Sequence, residues 1–202
     1  MNNHPSESEE GISAPEDLMR EHGVLNRILL IYDEGVRRLQ AKERVSPDIF
    51  RQPAGIVRKF VEDYHEQLEQ KFIFPQFERR QEHIELVQVL REQHDAGRRL
   101  TDEILRLAAP GEFVPAEAAQ KLGQTCKSFV RMYRPHEARE DTVLFPELYK
   151  IVPAAQIKEL GEQFEEEEHR LFGEGGFQKT VEQVAEMEKR LGIYDLAAFT
   201  PK

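Results

Sequence analysis

The sequence predicts an all-α fold, an up-down four-helix bundle with additional C-terminal helices. Three observations point there. Apolar residues recur at alternating steps of three and four along four long stretches, and no segment shows sustained strand alternation. Proline and glycine punctuate short connections between these stretches, and short connections make antiparallel neighbours. Each stretch carries one histidine on its apolar stripe.

The elements follow in order. Residues 1–14 read as a disordered leader, polar and acidic. Ser13 and Glu16 fit a capping box, with Pro15 tolerated in the first turn. The first helix runs from there to about Ala41, with Leu18, His22, Leu25, Leu29, Tyr32, Val36 and Leu39 on one face. Ser46-Pro47 and Pro53 mark the next connection. A second helix is expected from about Pro53 to Phe74, with Val57, Val61, His65, Leu68 and Phe72 aligned. Phe74-Pro75 should end or kink it, because proline cannot donate to the helix ladder. A third spans about Glu82 to Ala108, and its stripe includes His94. The fourth starts near Pro115, carries Phe129, Met132, His136, Glu140 and Val143, and should stop at Phe145-Pro146. Pro135 should kink it and produce a local bulge that re-aims His136. The bundle therefore occupies residues 15–150. The extension, 151–202, should add helices at about 154–172 and 178–191 that pack across the bundle.

Composition narrows the function. The chain has 202 residues, enough for one well-filled domain, and 33% of them are charged. No apolar run approaches the roughly 20 residues that span a bilayer. The N-terminus lacks the basic start and apolar stretch of a secretory signal. Cys126 is the single cysteine, which excludes an internal disulfide and suits a reducing cytoplasm. The net charge of −10 argues against nucleic acid or an anionic membrane surface as partner.

One pattern is written twice. His22 is followed by His65-x-x-x-Glu69, and His94 by His136-x-x-x-Glu140. Residues four apart on a helix share a face, so each pair can aim a nitrogen and an oxygen at one point. A single histidine on an apolar stripe is usually a hydrogen-bonded core residue. Four of them with two carboxylates would each cost about 1–3 kcal/mol if left unpaired. A pair of divalent ions collects them, because imidazole and carboxylate together suit transition metals. The helix directions let the four histidines meet in one layer, with Glu69 and Glu140 reaching between two ions as bridges. Lone glutamates with Glu-x-x-His pairs, the ferritin-like arrangement, fit this order poorly.

The set His22, His65-x-x-x-Glu69, His94 and His136-x-x-x-Glu140, with Phe74-Pro75 and Phe145-Pro146 downstream of the paired motifs, resembles the hemerythrin-like (HHE cation-binding) domain over about residues 15–150. The resemblance implies two non-haem iron ions with a bridging oxo or hydroxo group, reacting with dioxygen, nitric oxide or peroxide in stress defence or iron handling. Manganese or zinc accepts the same ligand types. It departs from the oxygen-carrying members at Arg98, which stands where they place a fifth histidine, four residues after His94. Four nitrogens and two bridging carboxylates fill about eight of the twelve positions on two six-coordinate ions. A more open, carboxylate-rich site favours redox turnover over reversible oxygen storage. A metal- or oxygen-responsive sensor with a protein partner is the alternative from another class, though no output domain is visible.

Secondary candidates complete the reading. Glu66 and Glu137 follow the paired histidines and should sit beside the site. Glu165 and His169 share a helix face in the extension and would add a ligand only if that helix covers the bundle mouth. Tyr32, Tyr64 and Tyr133 are read as core residues, and His4 and His83 as surface residues.

Overall fold

Helix α1, Ala14–Gln40, begins with the capping box that the sequence predicts: Glu16 accepts from both the backbone N–H (3.1 Å) and the hydroxyl (2.6 Å) of Ser13. The computed structural model describes residues 12–201, so most of the expected leader and His4 lie outside the described residues. Helix α2 (residues 48–80) is a continuous run of five segments, Asp48–Ile56, Val57–His65, Glu66–Leu68, Glu69–Ile73 and Phe74–Arg80. Helix α3 is Ile84–Leu107. Helix α4 (residues 116–151) joins Ala116–Arg139, Glu140–Leu144 and Phe145–Ile151. Helices α5 (Ala154–Phe172) and α6 (Gly176–Leu191) and a short 3₁₀ turn (Leu196–Phe199) follow. No strand occurs among the described residues.

Each bundle helix packs on the next, and α4 closes the ring against α1. Cross-contacts run in opposite chain directions. His22 meets Asp141 while Asn26 meets Glu137, and Arg58 meets Asp102 while Arg98 meets Glu66. The apolar faces bury Leu18, Ile28, Phe50, Phe60, Phe129 and Leu144 almost completely. Each such side chain contributes about 1.5–3 kcal/mol relative to leaving it in water. Gly97 is needed where α3 meets α4, because a Cβ there would collide with the hydroxyl of Tyr133.

Both Phe-Pro pairs behave differently from the expected stops. The helices continue through Pro75 to Arg80 and through Pro146 to Ile151. Each proline is preceded by a π-type turn, Glu69–Ile73 or Glu140–Leu144. Its defining bond runs from the Phe74 N–H to the Glu69 carbonyl, or from Phe145 to Glu140. A proline ring clashes with the carbonyl four residues back in a regular α-helix, and a wider turn ahead of it removes the clash. The expected bulge at Pro135 is likewise corrected: winding stays α-helical to Arg139, and the widening comes at Glu140. Helix α2 also starts earlier than expected, at Asp48, with Pro53 inside it and a further π stretch, Val57–His65, just beyond.

The extension packs on α1 and α2. Arg27 of α1 donates to Glu188 of α6 from Nε (3.0 and 3.1 Å) and from Nη2 (2.5 Å), and Arg38 donates to the Leu191 carbonyl (2.7 Å). Phe172 of α5 lies against Phe60 and Tyr64. No helix among the described residues is long and apolar enough to cross a membrane.

Candidate metal centre

The helical stripes deliver all six predicted residues to one buried layer. His22, His65 and Glu69 form one cluster and His94, His136 and Glu140 a second; in each, the potential ligand atoms lie within 4.8 Å of one another. None of the six is more than 4% exposed. Glu69 stands between the histidine pairs, one oxygen 3.6 Å from His65 Nε2 and the other 3.4 Å from His94 Nε2. Glu140 Oε2 lies 3.4 Å from His22 Nε2 and 3.2 Å from His136 Nε2.

The donor set fits metal ions. Both oxygens of Glu69, both of Glu140 and Nε2 of His94 are buried without a hydrogen-bond partner among the described residues. Buried polar atoms are rarely left so, and each costs about 1–3 kcal/mol. The Nε2 atoms of His22 and His65 face one another at 3.1 Å. Two nitrogens bound side by side at about 2.1 Å on one octahedral ion lie about 3 Å apart.

Every ring is held from behind. His22 Nδ1 donates to Asp141 (2.7 Å) and His65 Nδ1 to Glu21 (2.6 Å). His136 Nδ1 donates to the Gln93 oxygen (2.9 Å), and the Gln70 amide lies 3.0 Å from His94 Nδ1, where a half-turn presents its oxygen. With the proton on Nδ1, Nε2 is free to bind a cation. Phe145 stacks on His22 and Phe74 on His94. The π-type turns that open at the two glutamates end immediately before these rings.

Burial and mutual charge shift the protonation of these side chains. Burial disfavours a charged His22, but the hydrogen bond to Asp141 and the negative charge of Glu140 (3.4 Å) outweigh it and raise its pKa well above the ordinary value. Burial pushes His65 down to about 4 and His94 down to about 3. Burial, then the neighbouring Glu140, push Glu69 up to about 7. Glu140 falls well below its usual range: burial opposes this, but His136 and His22 prevail.

Glu66 and Glu137 are buried beside the clusters and join neither. Glu66 accepts from the Tyr133 hydroxyl (2.8 Å) and pairs with Arg98 (3.4 Å). Asn26 donates to Glu137 (2.5 Å), whose pKa burial pushes up to about 8. Arg98 itself turns to Asp63 (3.1 Å) and the Glu62 carbonyl, away from both clusters. Glu165 and His169 are exposed on α5 and belong to neither group. A groove of about 800 Å³ between α2 and α6 includes none of the six. Sequence reasoning missed Glu21, Gln93, Gln70 and Asp141. Their signal was the repeat itself, since Glu21 and Gln93 precede the lone histidines while Gln70 and Asp141 follow the two glutamates.

Comparison with known proteins places this geometry. Residues 13–148 match the family model described as the hemerythrin HHE cation binding domain. Uncharacterized proteins of Mycobacterium bovis and of two strains of Mycobacterium tuberculosis are each 50% identical over 195 residues, spanning 96% of this chain and 76% of theirs. No solved structure gives a significant match.

Proposed function

This chain belongs to the hemerythrin HHE cation-binding family, and we propose that it is a non-haem di-iron protein that binds or reduces dioxygen, nitric oxide or peroxide in stress defence or iron handling. The observation that carries the reading is the convergence of five unpartnered buried donor atoms between two histidine pairs. His22 and His65 would hold one ion, His94 and His136 the other, with Glu69 and Glu140 as bridges. A bound iron pair supplies adjacent redox-active Lewis-acid positions for a small oxidant.

The chain's own residues set the conditions for that chemistry. Asp141, Glu21, Gln70 and Gln93 fix the four rings with Nε2 inward. Phe74 and Phe145 wall the layer and limit water. Tyr133, edge-on to His136, donates a hydrogen bond from its hydroxyl to Glu66, and Glu66 meets the half-buried Arg98. That row can orient a proton between the layer and solvent.

Turnover is favoured over storage because Arg98 occupies the position of a fifth histidine and faces elsewhere. The single buried thiol, Cys126, suits a reducing cytoplasmic setting. The test is anaerobic reconstitution with ferrous iron, then exposure to each oxidant. Two irons per chain, an oxo-bridge absorption band and repeated consumption of peroxide or nitric oxide are expected. Binding of fewer than two irons refutes the paired centre. Dioxygen released intact on degassing refutes turnover in favour of storage.

A further inference from the structure

The halves of the centre are alike in their ligands and unlike in what stands behind them. Glu21 and Gln93 occupy equivalent places in the repeat, each immediately before a lone histidine. Each bonds to the paired histidine of its own half, His65 or His136. Gln70 and Asp141 are equivalent as well, each immediately after a bridging glutamate, and each crosses to a lone histidine, His94 or His22. One member of each equivalent pair is a carboxylate and the other an amide. The crossing sorts them: both carboxylates support the rings of one cluster, and both amides those of the other.

We propose that the two metal positions are unequal, the one held by His22 and His65 binding a divalent cation more tightly than the one held by His94 and His136. The inference rests on the paired-metal reading above. An imidazole whose Nδ1–H is bonded to a carboxylate is the stronger base at Nε2, and its hydrogen bond is charge-assisted and shorter. The distances follow that order: 2.6 and 2.7 Å to Glu21 and Asp141, against 2.9 and 3.0 Å to Gln93 and Gln70. Charge acts the same way. With Glu69 and Glu140 shared between both ions, the first position has two further carboxylates hydrogen-bonded to its rings and the second has none so bonded. Glu21 is almost fully buried, and the Asp141 side chain is 34% exposed, so solvent screens Asp141 more.

One cation lies near the second position: the Arg91 guanidinium, paired with Glu78 (3.0 Å), is 5.1 Å from the centroid of the Phe74 ring that stacks on His94. The gap between the positions should be tenfold or more, because loss of one ring-supporting group typically changes metal affinity 10–100-fold.

Cobaltous ion, added alone to the full chain against a competing chelator, reads both positions by stoichiometry and visible absorption. Two separate steps are expected, the tight one abolished by His22→Ala and the weak one by His94→Ala. Glu21→Gln should weaken the tight step tenfold or more and leave the other unmoved. Gln93→Glu, at a half-buried position that tolerates a charge, should strengthen the weak step about tenfold. That gain keeps the test sound if Glu21→Gln folds poorly. Two steps of equal affinity, or variants that move neither, overturn the ranking alone. Uptake of a single equivalent overturns the paired centre as well.

Discussion

Removing the metal should cost this protein much of its stability, and the size of the loss can be worked from the donor atoms. Five buried polar atoms of the two clusters, four carboxylate oxygens and one imidazole nitrogen, have no hydrogen-bond partner among the described residues. At about 1–3 kcal/mol each, the unpaired set costs roughly 5–15 kcal/mol, comparable to the whole stability of a typical domain. Protons on His22 and Glu69, whose pKa values lie above the ordinary range, relieve part of that cost, so the low end applies. A loss of about 5 kcal/mol in a chain of 202 residues corresponds to a fall in Tm of about 10–20 °C. Calorimetry of the protein loaded with ferrous iron under anaerobic conditions and of the same protein after dialysis against a chelator makes the comparison. The loaded form's Tm should also rise with the logarithm of free metal, as linkage requires. Melting of both forms within about 2 °C of each other would show that the layer is satisfied without ions and would refute the reasoning.

Other outcomes follow from the packing and charges around the centre. Gly97→Ala should push Tyr133 off Glu66 and destabilise by about 2–3 kcal/mol in urea unfolding. The cost should shrink in a Tyr133→Phe background, and equal costs in both backgrounds would exclude this contact as the cause. Asp17 is raised to about 7 from 3.8, first by burial and then by Glu21. The sign is that of an acid whose folded pKa is raised: its contribution is full below pH 3.8 and is lost as pH rises through 7. Asp17→Asn should therefore match the parent near pH 4 and exceed it at pH 8 by about 1–2 kcal/mol, after discounting for partial exposure. A gain independent of pH would count against that assignment. Glu188→Ala removes the forked partner of Arg27 and should loosen α6, with a loss of about 2–3 kcal/mol and faster proteolysis between α5 and α6. An unchanged digestion rate would show that other contacts dock the extension.

Much of this protein was legible before any coordinates. Steps of three and four fix which residues share a helix face, so Leu18, His22 and Leu25 had to point inward together. The twofold recurrence of the His and His-x-x-x-Glu pattern then singled out the six residues that make up the two buried clusters. Periodicity specifies a face but neither a height nor a partner. It could not show that Asp141 reaches His22 across 119 positions of chain, because that contact depends on how α4 slides along α1. Nor could it show that Pro75 and Pro146 widen their helices instead of ending them, since buried residues on both sides of each proline hold the helix together. The same limit explains the two charged and two amide supports. Their identities stand in the sequence, but only the crossing of helices assigns both carboxylates to one histidine pair and both amides to the other.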